Sequence, residues 1–228
     1  MVEKGLIVTN DTSLLPRYLI TDDENDIYYE NLDGDRVGKF EWVKLWKRLM
    51  RQSNSITKEP LAKAIGLKNI KEKTLIWDMS CGTGKDTLLL LKFGCRVHAF
   101  ERNKIIYNLL LYHFYLMESV ENFPLEMLSL TFGAPMQVGL IDKPKVIYFD
   151  PMYAESANKK SAPRAQMAMF RQFVGEDIDF ETHLEFAFTL ASERVVLKRS
   201  VKSPVLYKNR FSHSIIGKST RYDVYMIH

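Results

Sequence analysis

The sequence predicts a doubly wound α/β fold: a mostly parallel, twisted sheet with helices on both faces, preceded by a small β-rich appendage. Three observations carry this. From residue 74 on, short apolar runs alternate with helical patterns. The first run ends on Asp78 and leads into a turn with Gly82 and Gly84 that opens a helix. The second run ends on another acid, Glu101. Strand, glycine turn, helix, strand, acid is the layout of a nucleotide-type ligand site in such a sheet.

Taken in order, 6–9, 18–20, 27–32 and 37–41 read as short strands separated by Asn10-Asp11, Asp22-Asp23 and Asp33-Gly34, the last a hairpin signal. Residues 42–50 read as a helix with Trp42, Leu45, Trp46 and Leu49 on one face and Lys44, Lys47, Arg48 and Arg51 on the other. A docked aromatic face with a solvated basic side is the plain reading of that helix; a basic side turned to nucleic acid is the sharper one. The Ser- and Asn-rich stretch 52–57 reads as a linker, which sets the domain boundary after residue 58 and leaves 59–228 as the ligand-binding domain. Within it a short helix spans 59–65. Strand 74–78, helix 84–93, strand 96–100 and helix 103–119 follow. Further strands lie near 126–131 and at 145–149, helices near 164–174 and 179–191, and a strand at 194–198. The pair 212–216 and 222–227, joined by Gly217-Lys218-Ser219, predicts an antiparallel edge.

A chain of 228 residues with 46% hydrophobic and 26% charged content can bury the core of one full α/β domain plus the appendage. The net charge of +4 is compatible with a polyanionic partner without requiring one. Two cysteines, Cys81 and Cys95, make no disulfide framework and read as small apolar side chains. The five histidines show no ligand spacing, and no metal is expected. No apolar stretch reaches 18 residues and the first residues carry no secretory pattern, so a cytoplasmic protein without a membrane span is expected.

The glycine turn, DMSCGTG at 78–84, lacks both the GxGxxG of a pyrophosphate site and the GxxxxGK[ST] of a triphosphate site. A cofactor with a ribose and no phosphates suits it better. Glu101 stands where a carboxylate can accept from both hydroxyls of a ribose, and Asp78 is a good neighbour for a positively charged amino-acid tail. S-adenosylmethionine has both parts. A tight structural turn is the plainer alternative for the glycines alone, and Cys81, with no histidine nearby in sequence, reads as a packed thiol rather than a nucleophile.

A later block, IYFDPMY, places Asp150-Pro151-Met152-Tyr153 at the carboxyl end of a strand, where these sheets bind ligands. An exocyclic amine needs acceptors for its N–H groups if its lone pair is to face a methyl donor. Asp150 and the Pro151 carbonyl can supply them, Pro151 fixes the turn, and Tyr153 can stack on a base. Alone, Asp-Pro is a common strand-ending turn; after a cofactor-binding half it points to methyl transfer.

Six blocks, DMSCGTGKD, CRVHAFERN, IYFDPMY, NKKSAPRAQM, RVVLKRS and GKSTRYDVY, together resemble the 16S ribosomal RNA guanine-N2 methyltransferases, in order and over roughly residues 58–228. That resemblance implies a Rossmann-like class I methyltransferase fold with a seven-stranded sheet, S-adenosyl-L-methionine as cofactor, and methylation of the N2 of one guanine in small-subunit rRNA. It implies cofactor contacts at Lys85 and Asp86, Glu101 and Arg102, and Asp150, beside those read from the turn at Asp78, Cys81, Gly82 and Gly84. A serine pair used by the family falls on Ala134-Pro135, which removes two hydroxyls and leaves backbone contacts. For RNA, Lys160 and Ser161 in a basic loop and Lys198 and Arg199 at a strand end are the candidates, with Lys218 and Arg221 extending the rim. Two rival readings stand beside this one. One is a methyltransferase for another planar amine, adenine N6 or a glutamine amide; the other is a nucleic-acid-binding module that kept the fold and lost the cofactor. A nicotinamide oxidoreductase fits less well, for want of the pyrophosphate fingerprint.

Overall fold

The computed structural model describes residues 18–21, 27–30, 36–52, 55–69, 73–137, 142–151 and 179–227. They fall into two compact units, one carrying the strands that precede Trp42 and a larger one running from Trp42 to Pro151 and resuming at Ile178. The smaller unit contains a three-stranded antiparallel sheet in the order β1 (Tyr18–Thr21), β2 (Ile27–Glu30), β3 (Arg36–Phe40), with a register shift between Tyr29 and Glu30.

The larger unit begins with helix α1 (Trp42–Arg51), which the sequence reading had grouped with the appendage. Its placement follows from its amphipathic pattern: Trp42, Trp46 and Leu49 are buried while Lys44, Lys47, Arg48 and Arg51 are exposed. Trp46 meets Phe123 edge-on at 4.9 Å, and Trp42 stacks on His113 at 6.1 Å. At its far end the open carbonyls of Leu49 and Gln52 receive the ammonium of Lys92.

After α2 (Pro60–Ala64) comes the main sheet. Its strands are β4 (Leu75–Asp78), β5 (Arg96–Glu101), β6 (Leu128–Phe132), β7 (Val146–Phe149), β8 (Arg194–Ser200), β9 (His213–Ile216) and β10 (Thr220–Met226). The spatial order is β6-β5-β4-β7-β8-β10-β9; the first five are parallel, and β10 runs antiparallel to both β8 and β9. Helices α3 (Lys85–Lys92), α4 (Lys104–Met117) and α5 (Phe180–Leu190) connect them. This is the seven-stranded, Rossmann-like class I methyltransferase architecture. The central strands are near-continuous apolar runs, as covered parallel strands must be; all four residues of β7 are buried. The predicted strands and helices of this half recur within a few residues, while the predicted helix near 164–174 lies outside the described residues. Among the described residues no helix is long and apolar enough to cross a membrane.

The direction of strand addition reverses between β4 and β7. Such a switch point opens a crevice at the carboxyl ends of the two strands, and Asp78 and Asp150 stand on its two sides.

Candidate active site

The glycine turn after β4 is knitted to its neighbours by backbone bonds. Met79 N–H donates to the Tyr148 carbonyl of β7 at 2.9 Å and Cys81 N–H to the Phe100 carbonyl of β5 at 2.9 Å. Ser80 Oγ accepts the Asp150 N–H at 2.8 Å, which closes the turn onto the loop after β7. Gly82 and Gly84 have φ of +55° and +73°, in the left-handed region that favours glycine. They differ in what lies beside them. A Cβ on Gly82 would meet only the Ser80 carbonyl, at 3.8 Å, an ordinary contact, so among the described residues nothing crowds that position. A Cβ on Gly84 would lie 2.3 Å from the Trp42 ring, whose Nε1 donates to the Thr83 carbonyl at 2.8 Å.

Glu101 is 6% exposed, and its carboxylate is aimed by two backbone donors: Gly82 N–H to Oε2 at 3.0 Å and Asn103 N–H to Oε1 at 2.8 Å. A carboxylate offers about four acceptor sites, so this geometry could also receive ribose hydroxyls beside Gly82. Arg102, next along, pairs with Asp179 at 2.8 Å. Ala134 and Pro135 are buried after β6, the Ala134 N–H donating to Gln137 Oε1 at 3.2 Å.

Asp78 faces inward. It is 1% exposed, with Thr87 Oγ1 donating to Oδ2 at 2.6 Å and Ser80 N–H to Oδ1 at 3.3 Å. These contacts make it an organiser of the turn, where the sequence reading offers it to an ammonium. Burial raises its carboxyl to about 7 against the Thr87 hydrogen bond, with the charges of Asp86 and Asp150 adding to the rise. Cys81 is buried, 3.3 Å from Thr87 Oγ1, and burial holds its thiol well above the usual range, so it has the character of a packed thiol.

Asp86, in the first turn of α3, accepts from Tyr148 Oη at 2.6 Å and from Lys198 Nζ at 2.8 Å. Burial works to raise it, yet the charge and hydrogen bond of Lys198 and the Tyr148 hydroxyl leave it below the usual carboxylate range. The same Lys198 nitrogen lies 2.7 Å from Asp150 Oδ2, so one ammonium bridges two carboxylates. Burial alone would lower Lys198, but Asp150 and Asp86 hold it above its ordinary value.

Among the predicted site residues, Asp78, Cys81, Gly82, Gly84, Asp86, Glu101 and Asp150 therefore gather at one crevice, with exposed Lys85 at its margin. Pro151 is buried directly after Asp150. Met152, Tyr153, Lys160 and Ser161 lie outside the described residues. The two strand-end cations take unexpected positions: Lys198 turns in to the carboxylates, and Arg199 is 8% exposed. Arg221 is buried against Asp223, at 2.7 Å, instead of joining a basic rim, whereas Lys218 is exposed. Four contributors were not singled out from sequence: Ser80, Thr87, Tyr148 and Trp42. Tyr148 carried a signal, since it precedes Asp150 by two residues, the spacing that puts side chains on one side of an extended chain.

A family model described as "Putative SAM-dependent methyltransferase" matches residues 17–227. The chain belongs to that family. S-adenosyl-L-methionine is accordingly its cofactor, and the residues fit: an uncrowded Gly82, a buried carboxylate on the next strand tip, and no phosphate fingerprint in the turn. Family members similar to this chain include ribosomal RNA small subunit methyltransferase J of Thioalkalivibrio sulfidiphilus, 35% identical over 184 residues, covering 75% of this chain and 69% of that protein. The protein of the same name from Ectopseudomonas mendocina is 36% identical over 181 residues, covering 77% and 68%. A crystal structure of a SAM-dependent methyltransferase from Neisseria gonorrhoeae superposes with a TM-score of 0.69 at 24% identity, covering 96% of this chain and 86% of that one, and supports the fold.

Proposed function

We propose that this methyltransferase modifies the exocyclic N2 of a guanine in 16S rRNA of the small ribosomal subunit. The observation that carries the reading is Asp150: it directly follows β7, on the other side of the switch point from β4 and its glycine turn, and stands in the middle of the block IYFDPMY. The small-subunit rRNA acceptor is supported by the names of the relatives, and the guanine N2 by the six-block resemblance.

The cofactor, when bound, supplies a methyl group on a sulfonium. The chain's part is then binding and orientation. Glu101, fixed by the Gly82 and Asn103 N–H groups, accepts from the ribose, and the bare Cα of Gly82 lets the ligand approach the turn. Asp150 and the Pro151 carbonyl accept from the amine N–H groups, which holds the nitrogen lone pair toward the donor. Little general-base strength is required, because the proton leaves after the nitrogen has become cationic. Tyr153 would stack on the base. The RNA phosphates would meet exposed basic side chains, among them Lys47, Arg48 and Arg51 of α1.

The test is to map N2-methylguanine in 16S rRNA from cells with and without this chain, then restore it in vitro with purified protein and labelled cofactor. A site that loses its methyl group and regains it on addition is the expected result. Unchanged rRNA, with methyl transfer to adenine or to a glutamine amide instead, would overturn the acceptor.

A further inference from the structure

On the α3 side of the sheet, polar side chains stand close together on four neighbouring strands. Asp78 of β4 lies beside Tyr148 of β7, Tyr148 beside Val196 of β8, and Lys198, two residues beyond Val196 on the same face, beside Tyr222 of β10. Above them Asp86 enters from α3. Two carboxylates, Asp86 and Asp150, thus share a single bridging ammonium, and the charge of each is felt by buried Asp78. The Lys198 side chain is 21% exposed and within 2.8 Å of oxygens from both Asp86 and Asp150. A cation so placed could reach an RNA phosphate only by abandoning two carboxylates and leaving them as like charges in one half-buried site.

We propose that Lys198 is a positioning residue for methyl transfer: its ammonium keeps the Asp150 carboxylate ionised and turned by Oδ2 toward β8, ready to accept the hydrogens of the incoming amine. The inference rests on the functional reading above for the role of Asp150. A protonated Asp150 would carry one O–H donor and could no longer offer two carboxylate oxygens as acceptors. Without the ammonium, Asp86 and Asp150 would share a site as like charges, and one of them would hold its proton to higher pH. The other groups facing this point are Asp78 of β4, Lys85 of α3, Tyr148 of β7, Tyr222 of β10 and Glu59 just before α2. Tyr148 and Tyr222 are held above the ordinary tyrosine range by burial first, so both remain neutral and neither replaces the lysine's charge.

The experiment uses the full chain with Lys198→Met and Lys198→Arg. The Asp150 side-chain carboxyl is followed by carbon-13 NMR against pH, assigned through Asp150→Asn, and kcat and KM for 16S rRNA are measured across the same pH range. In Lys198→Met, Asp150 should titrate at higher pH than in the wild type. Its kcat should fall roughly tenfold for each pH unit by which the assay lies below the raised Asp150 titration, and recover as pH rises through it, with KM for RNA unchanged. Lys198→Arg should retain the wild-type pH profile. An unaltered Asp150 titration would overturn the proposal. So would a raised KM with a shallower salt dependence and an intact kcat, which is the signature of an RNA contact. If the methionine variant does not fold, Asp86→Asn decides: relieved of one like charge, Asp150 should titrate at lower pH, and a rise would refute the model. The titration needs no substrate, so inactivity of the wild type on rRNA would sink the functional reading alone.

Discussion

A double-mutant cycle on Gly84 and Trp42 tests whether the first helix of the larger unit sets the shape of the glycine turn. Gly84 sits at φ +73°, and a Cβ there would lie 2.3 Å from Trp42 Cζ2 and 2.6 Å from Cε2 and Nε1. Gly84→Ala therefore costs about 1–2 kcal/mol of left-handed backbone strain, plus about 1–3 kcal/mol of overpacking against an indole that is 1% exposed and cannot retreat. The sum is about 2–5 kcal/mol. Trp42→Leu removes the ring atoms that would collide and also the hydrogen bond to the Thr83 carbonyl, at a cost of about 2–4 kcal/mol. In that background Gly84→Ala should cost only the backbone strain. The two changes should thus be coupled by about 1–3 kcal/mol, with the double variant more stable than additivity predicts. Urea unfolding followed by far-ultraviolet circular dichroism measures all four proteins without relying on tryptophan fluorescence. Additivity to within about 0.5 kcal/mol would refute the argument that Trp42 is what makes residue 84 a glycine.

Asp150→Ala should abolish methyl transfer while leaving the fold intact, since the backbone bond to Ser80 and the Asp86 partner of Lys198 are both retained; wild-type turnover would remove Asp150 from the mechanism. Glu101→Gln should weaken cofactor binding by roughly 10- to 100-fold in calorimetry, because an amide has one acceptor where Gly82 and Asn103 need two; unchanged affinity would free Glu101 of its assigned role. Asp78 predicts a pH effect. Its folded value of about 7 lies above the ordinary 3.8, so across that window the native state keeps a proton the unfolded chain has lost, and stability falls as pH rises toward 7, by a few kcal/mol at most. Asp78→Asn should flatten this slope in unfolding free energies measured from about pH 5, above the ordinary carboxylate range, to about pH 8. His98, lowered chiefly by burial, contributes with the opposite sign in both proteins and cancels in the difference; parallel slopes would contradict the raised Asp78.

Much of the larger unit was legible because parallel strands covered on both faces leave continuous apolar runs, and because a glycine turn and a strand-ending acid are local signals. Gly82 and Glu101 were found that way, and the structure brings them to 3.0 Å. What escaped depended on which way a side chain turns. Lys198 stands at the carboxyl end of its strand, which pointed to a ligand-facing cation; that it faces α3 follows only from its pairing with Tyr222 and from Asp86 arriving from the helix. Arg221 and Asp223 are two apart on one strand and hence on one face, a pairing that the spacing allowed but that a reading for basic rims passed over. The helix Trp42–Arg51 was assigned across the boundary because the Ser- and Asn-rich stretch after it looks like a linker. Its anchor is the carbonyl of Thr83, and a backbone acceptor leaves no mark in a sequence.

The position of β10 has a consequence for how the molecule is made. This strand follows β9 in the chain yet inserts between β8 and β9, so neither of those two can be completed before it. During synthesis the parallel strands and α3 can assemble early, and Asp86 and Asp150 can find Lys198. Until residues 220–226 emerge, however, β8 presents an unpaired edge, with Val195, Val196 and Leu197 awaiting a partner. The nascent chain therefore carries a nearly finished cofactor site beside an adhesive flank. That flank, rather than the site, is where a slow ribosome or a frayed last strand would first lead to aggregation.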